Sequence, residues 1–296
     1  MSLRVCVLIP IYNHREHIVP TVRALAAHGL PIFVIDDGSD AATQRVLSML
    51  ADEQPLMQLH RLERNRGKGA AVMRGMRAAH AEGFTHALQI DADGQHDPGD
   101  LPHFIAGART NPNAVICGQP IYDETVPKGR LYGRYLTHFW VWVETLSLQI
   151  ADSMCGYRLY PLQAAIDLMD VQRLPERMDF DTEILVRLYW RDTQVINLLT
   201  RVTYPPDGLS HFDMLRDNWR ITKMHTRLTL GMLPRIPSLL WRKLKPGTTS
   251  SHWSAFTERG GMLGMRIVFW AYRLLGRSVT RALLFPSFFI TRSPIP

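Results

Sequence analysis

The chain has 296 residues, 46% of them hydrophobic and 21% charged, which describes one large globular domain or one domain with an appendage. Its three cysteines, Cys6, Cys117 and Cys155, share no C-x-x-C spacing, which argues against a disulfide framework or a zinc ribbon, and no run approaches the roughly 18 apolar residues that span a bilayer. The net charge of +7 is uneven: residues 212–296 carry 14 Lys and Arg against 3 Asp and Glu, and the first 211 carry 20 against 24, so an anionic partner is expected for the C-terminal third alone.

The opening MSLRVCVLIPIYN has no basic segment followed by a long apolar stretch, so no signal peptide is expected and the chain reads as cytoplasmic. Short apolar runs at Val5–Ile9, Ile32–Ile35, Met57–Leu62, Ala87–Ile90 and Ala114–Cys117 predict strands, several apolar on both faces as doubly covered strands must be. Helical patterns lie between them at about 18–28, 41–52, 69–82 and 98–108. This alternation, with short loops, predicts βαβ units and a mostly parallel sheet. Residues 128–190 read as helical and aromatic, with one helix at 180–191. A strand near 195–199, a turn at Pro205–Gly208 and a helix at 212–231 follow. Residues 245–251 have the composition of a linker.

Ligands of parallel sheets bind at the carboxyl ends of the strands. Polar clusters stand at each such end: Tyr12-Asn13, Asp36-Asp37-Gly38-Ser39, Asn65-Arg-Gly-Lys-Gly69 and Asp91-Ala-Asp-Gly-Gln95. Asp91 and Asp93, two apart on an extended chain, point the same way and can converge on one cation, with Gln95 as a further hard oxygen. Asp179 and Asp181 repeat the spacing, but only the first pair closes an apolar strand. A loop-capping pair is the plainer alternative for an isolated D-x-D. A carboxylate at Asp36 or Asp37 can accept from a nucleobase N–H or a ribose hydroxyl, or it can cap the next helix as an Asx turn. Residues 65–69 place backbone N–H groups, Arg66 and Lys68 at a helix N-terminus, an environment suited to a diphosphate. Neither a P-loop nor a G-x-G-x-x-G is present.

Six stretches, LIPIYN (8–13), VIDDGSD (34–40), NRGKGAAVMRGM (65–76), QIDADGQHDP (89–98), DSMCGYRLY (152–160) and DFDTEILVR (179–187), resemble a family 2 glycosyltransferase. The match covers about residues 4–211 and is most similar to the dolichyl-phosphate mannosyltransferase and polyprenyl-phosphate glucosyltransferase branch. The resemblance implies an α/β fold of GT-A (Rossmann-like) type, a mostly parallel sheet flanked by helices. It implies that Pro10, Tyr12, Asp36, Asp37, Lys68 and Asp91 bind a nucleotide-diphospho-sugar, UDP- or GDP-linked. Asp91, Asp93 and Gln95 would hold Mg²⁺ or Mn²⁺. Asp152 would face the reacting sugar as a candidate base, and Glu183 and Arg158 would line the acceptor side; solvation of a helix end, or an ion pair with Arg158 or Arg187, is the plainer role for the two carboxylates. One departure stands out: that branch carries an Arg just after the fifth strand, where this chain reads Gly118-Gln119-Pro120, with Arg130 and Arg134 following.

Arg216, Arg220, Lys223 and Arg227 form one stripe of a helix, and Arg259, Arg266, Arg273, Arg277 and Arg281 form another among apolar and aromatic residues. A basic, aromatic-rich amphipathic helix suits an anionic membrane surface, although its Arg face would also suit water. The tail also resembles the start of lipid A-type lysophospholipid acyltransferases, but no histidine follows His252. The expected organisation is a GT-A domain at 1–211, a helical extension at 212–244, a linker at 245–252 and a basic amphipathic membrane-associating tail at 253–296. The expected function is metal-dependent, inverting transfer of a hexose to a lipid or lipid-linked acceptor at the cytoplasmic membrane face, with no nucleic acid involved. The alternatives are transfer to a polyprenyl phosphate, or a catalytically silent scaffold that recruits an acyltransferase.

Overall fold

A computed structural model describes residues 3–122, 128–203 and 214–244. The elements follow in the order β1 (Val5–Ile11), α1 (Arg15–Ala26), β2 (Ile32–Asp36), α2 (Ala41–Glu53), β3 (Met57–Arg61), α3 (Lys68–Ala81), β4 (His86–Gln89), α4 (Leu101–Thr110) and β5 (Val115–Tyr122). Then come α5 (Lys128–Thr145), β6 (Arg158–Pro161), α6 (Leu162–Val171), α7 (Phe180–Trp190), β7 (Val195–Val202), α8 (Met214–Met232) and α9 (Ile236–Leu244). The expected turn at 205–208, the linker and the tail lie outside the described residues. By compactness the chain divides into Met1–Arg242 and Lys243–Pro296.

The seven strands form one sheet in the order β3-β2-β1-β4-β6-β5-β7. β1 pairs in parallel with β2 and β4, β2 with β3, and β5 with β7. The expected α/β architecture is therefore present. Alternation along β1 explains the two cores: Cys6 and Leu8 pack with α3, α6 and α7 on one face, while Val5, Val7, Ile9 and Ile11 pack with α1, α2 and α4 on the other. Helix α3 lies so close to the sheet that a Cβ on Gly75 would sit 2.0 Å from Leu8 Cδ1. At that position only glycine lets the backbone approach.

Two features differ from the sequence-based expectation. Residues 158–161, read as part of a helical region, form β6, which runs antiparallel between β4 and β5. Four residues opening on Arg and closing on Pro carry little strand signal, and burial of all four by both neighbours supplies the stability instead. The fifth strand is also longer than expected. Gly118–Tyr122 pairs with Leu198–Val202 of β7, so Gly118-Gln119-Pro120 lies within the strand, and the residues that directly follow it, 123–127, are outside the described ones.

Candidate active site

The carboxyl ends of β1, β2 and β4 meet on one edge. Because β6 is antiparallel and Gln89 pairs with Arg158, the loop entering β6 arrives at that same edge. The site is thus assembled from these exits, the loop that follows β3 and delivers Lys68, the entry to β6 and the first turn of α7, which carries Asp181.

At the β2 exit Asp36 is fully buried. Its Oδ1 accepts from the Ser39 N–H at 2.9 Å, and Oδ2, 3.6 Å from Arg61 Nε, has no hydrogen-bond partner. A buried, unsatisfied carboxylate oxygen is costly unless a ligand completes it. Asp37 is committed differently, accepting from the Arg66 N–H at 2.8 Å and the Gly67 N–H at 2.7 Å. Burial raises its pKa against the pull of those two donors. Both oxygens therefore shape the 64–67 loop, whose Gly67 has φ 111° and leaves no room for a Cβ beside the Glu176 carbonyl, 2.5 Å away. Pro10 is buried in β1, and Tyr12 follows the strand, partly exposed. Asn13 ties the two loops together: its N–H donates to Ser39 Oγ at 3.1 Å, and its Oδ1 accepts from the Asp40 N–H at 2.8 Å.

Lys68, the first residue of α3, lies 2.8 Å from the Asp91 carboxylate and 2.6 Å from Asp181 Oδ2. Burial alone would lower its pKa, but Asp181 and Asp91 more than offset that, and the ammonium stays charged. Burial likewise opposes ionisation of Asp91, yet Lys68 holds this carboxyl below the usual range. Asp93 is raised, first by burial and then by the neighbouring Asp91 charge. Gly94 has φ 72° and turns the chain, so that the Gln95 N–H donates to Asp93 Oδ1 at 3.1 Å. The Gly156 backbone lies against the same centre, where a Cβ would stand 2.0 Å from Asp91 Oδ2.

Further contacts fix Asp181 underneath. Asp181 accepts from Gln89 Nε2 at 3.1 Å, and its backbone carbonyl accepts from Arg158 Nη1 at 2.5 Å. Lys68 thus pairs with both Asp91 and Asp181, Arg158 meets Asp181 at its backbone carbonyl, and Asp93 lies beside this group. Among the described residues no group of three or more His, Cys, Asp or Glu is arranged to hold a metal ion alone. The Asp91–Gln95 segment offers carboxylate and amide oxygens only. That hard-oxygen set fits a Mg²⁺- or Mn²⁺-like cation completed by oxygens of a diphosphate.

Asp152 is buried and heavily engaged. Arg134 Nε and Nη2 donate to it at 2.7 and 3.3 Å, the Met154 and Cys155 N–H groups at 2.7 and 2.8 Å, and His138 Nε2 stands 3.5 Å away. Burial alone would raise its pKa, but His138 and Arg134 hold it well below the carboxylate range. Arg158 and Glu183, expected on the acceptor side, are both wholly enclosed. Arg158 donates to Asp181 O and to Tyr160 Oη, at 3.3 Å. Glu183 is paired with Arg187 at 2.7 Å and with Arg227 of α8.

Sequence reasoning passed over Asp181, whose D-x-D spacing with Asp179 carries no signal of its partner Lys68, 113 positions earlier. It also missed His138 and Gly156, which only the fold brings to this edge.

A model of the family described as "Glycosyl transferase family 2" matches residues 6–155. The chain belongs to this family. Its relatives include the dolichyl-phosphate beta-glucosyltransferase of Dictyostelium discoideum, 29% identical over 164 residues that make up 52% of this chain and 49% of that protein. The undecaprenyl-phosphate mannosyltransferase of Micrococcus luteus is 30% identical over 181 residues, 56% of this chain and 70% of the relative. The chain thus spans about half the length of the Dictyostelium protein. Among solved structures, glucosyl-3-phosphoglycerate synthase of Mycobacterium tuberculosis in complex with Mn²⁺ and UDP-glucose aligns with TM-score 0.55 at 14% identity, over 78% of this chain and 79% of that one. S. aureus TarS in complex with UDP-GlcNAc aligns with TM-score 0.53 at 14% identity, over 76% and 66%. These likenesses show that the glycosyltransferase fold is GT-A.

Proposed function

We propose that this family 2 glycosyltransferase moves a sugar from a nucleotide-diphospho-sugar to a lipid phosphate at the cytoplasmic membrane surface, with inversion at the anomeric carbon. The observation that carries the acceptor class is the state of Asp152. A hydroxyl acceptor needs a base to take its proton during attack. Asp152 already accepts from Arg134 and two backbone N–H groups and is held far below neutral, which makes it a poor base. A phosphate monoester, with a second pKa of about 6, arrives ionised and needs none.

In this reading the buried Asp36 oxygen accepts from the donor's base or ribose, and the loop that Asp37 shapes through the Arg66 and Gly67 N–H groups sets Lys68 beside the diphosphate. Asp93 and Gln95, beside Asp91, would hold Mg²⁺ or Mn²⁺, which when bound neutralises charge on the departing nucleoside diphosphate. The two solved neighbours bound to UDP-sugars, one of them with Mn²⁺, and the relatives named for polyprenyl phosphates support the donor and acceptor classes. Arg134, fixed by Asp152, supplies positive charge for an anionic acceptor. An acceptor phosphate oxygen forms the new bond to the anomeric carbon as the bond to the donor phosphate breaks, and no proton moves.

Radiolabelled UDP- and GDP-sugars, each with Mn²⁺ or Mg²⁺, presented with either a polyprenyl phosphate or a neutral hydroxyl lipid, test this. Label is expected in the phosphate lipid alone, and Asp93→Ala is expected to abolish it. Transfer to the hydroxyl lipid with none to the phosphate would refute the acceptor class.

A further inference from the structure

Residues 214–242 contain six Lys and Arg and one acid, Asp217. That acid is buried and paired with Arg220 at 2.7 Å. At about 100° per residue, Trp219, Lys223 and Leu230 of α8 fall within about 40° of arc, opposite the buried Met224, Leu228 and Met232. Trp219 is 71% exposed and Leu230 62%, and farther along Leu233, Leu240 and Trp241 are 51%, 47% and 64% exposed. The buried side of α8 is fixed to the main domain by Glu183–Arg227 and by Glu144, which faces His225 Nδ1 at 2.8 Å. A helix anchored on one side, with large apolar and aromatic groups standing in water on the other, is not simply a solvated helix.

We propose that the exposed face of α8–α9 lies in an anionic lipid surface. Indole rings prefer the boundary between headgroups and acyl chains, and lysine and arginine beside them meet anionic headgroups. Among the described residues no helix is long and apolar enough to cross a membrane, so the contact is lateral. A second copy of this chain fits less well, because a two-fold contact on this face would set Lys223 and its basic neighbours against themselves. Helix α5 packs against α8, with Trp140 and His225 ring centroids 6.4 Å apart, and it also carries Arg134 and His138 of the Asp152 cluster. The lipid contact therefore adjoins the acceptor end of the site. This deepens the lipid-phosphate reading but rests on different residues.

The test is binding of the full chain to vesicles of phosphatidylcholine, with and without phosphatidylglycerol, and with no donor or phosphorylated polyprenol present. Its outcome is therefore independent of whether transfer occurs. Binding is expected only with the anionic lipid. It should weaken at least about tenfold in a Trp219→Ala/Trp241→Ala variant and about fivefold in Lys223→Glu. Brominated lipids should quench tryptophan emission of the unaltered protein, and the quenched fraction should fall in the shape-preserving Trp219→Phe/Trp241→Phe variant. No binding to anionic vesicles, binding undiminished in the alanine variant, or self-association that shields Trp219 would each overturn the proposal.

Discussion

Asp181 shows how a buried residue can set the charge state of a site. Its carboxylate holds Lys68 at 2.6 Å and its backbone carbonyl accepts from Arg158, so it fixes the cation that pairs with Asp91. Asp181→Asn leaves Lys68 leaning on Asp91 alone. Steady-state kinetics should show kcat/KM for the donor down about 10²-fold, alongside a lowered thermal midpoint because a buried ion pair is broken, with partial recovery of kcat/KM in Asp181→Glu; unchanged kinetics would make Asp181 purely structural. Gly156→Ala tests the other side of the same carboxylate. A methyl group would stand 2.0 Å from Asp91 Oδ2, so the variant should lose activity by more than about 10²-fold while folding at a cost of about 1–3 kcal/mol. The Asp91–Asp93–Gln95 spacing was legible in the sequence because its members are close neighbours along the chain. Asp181, His138 and Gly156 were not, because what matters about each is a contact across the fold.

At the level of elements, the parallel half of the sheet was readable because apolar runs such as those of β1 and β2 alternate with amphipathic helices. β6 was not, because a buried arginine at its start argues against a core strand in any local window. Arg158 Nη1 is received by Asp181 O and Tyr160 Oη. The loop entering β6 depends on a further charge, Asp152, clamped by α5. The folded pKa of Asp152 lies below its unfolded value, so its stabilising contribution is complete above about pH 4. That contribution is lost as pH falls through the folded pKa. Asp152→Asn should therefore cost about 2 kcal/mol near neutrality, and the gap from the unaltered protein should close as pH drops below about 4. Urea unfolding across that range measures it; a gap independent of pH would mean the carboxylate is not held by charge.

For the whole molecule, the strand order carries a consequence for synthesis. Residues 5–89 build four neighbouring parallel strands with their covering helices, but β4 then presents a bare edge to the sheet's centre. The strand that covers it, β6, begins at residue 158, and β5 and β7 reach the sheet only through β6. During elongation some seventy residues must emerge before that edge is paired, at about 5–20 residues per second. For those seconds the nascent chain offers an unpaired apolar strand that any other strand can join. The inserted antiparallel strand that brings Gly156 to Asp91 is thus also the interval in which this protein most needs protection from its neighbours.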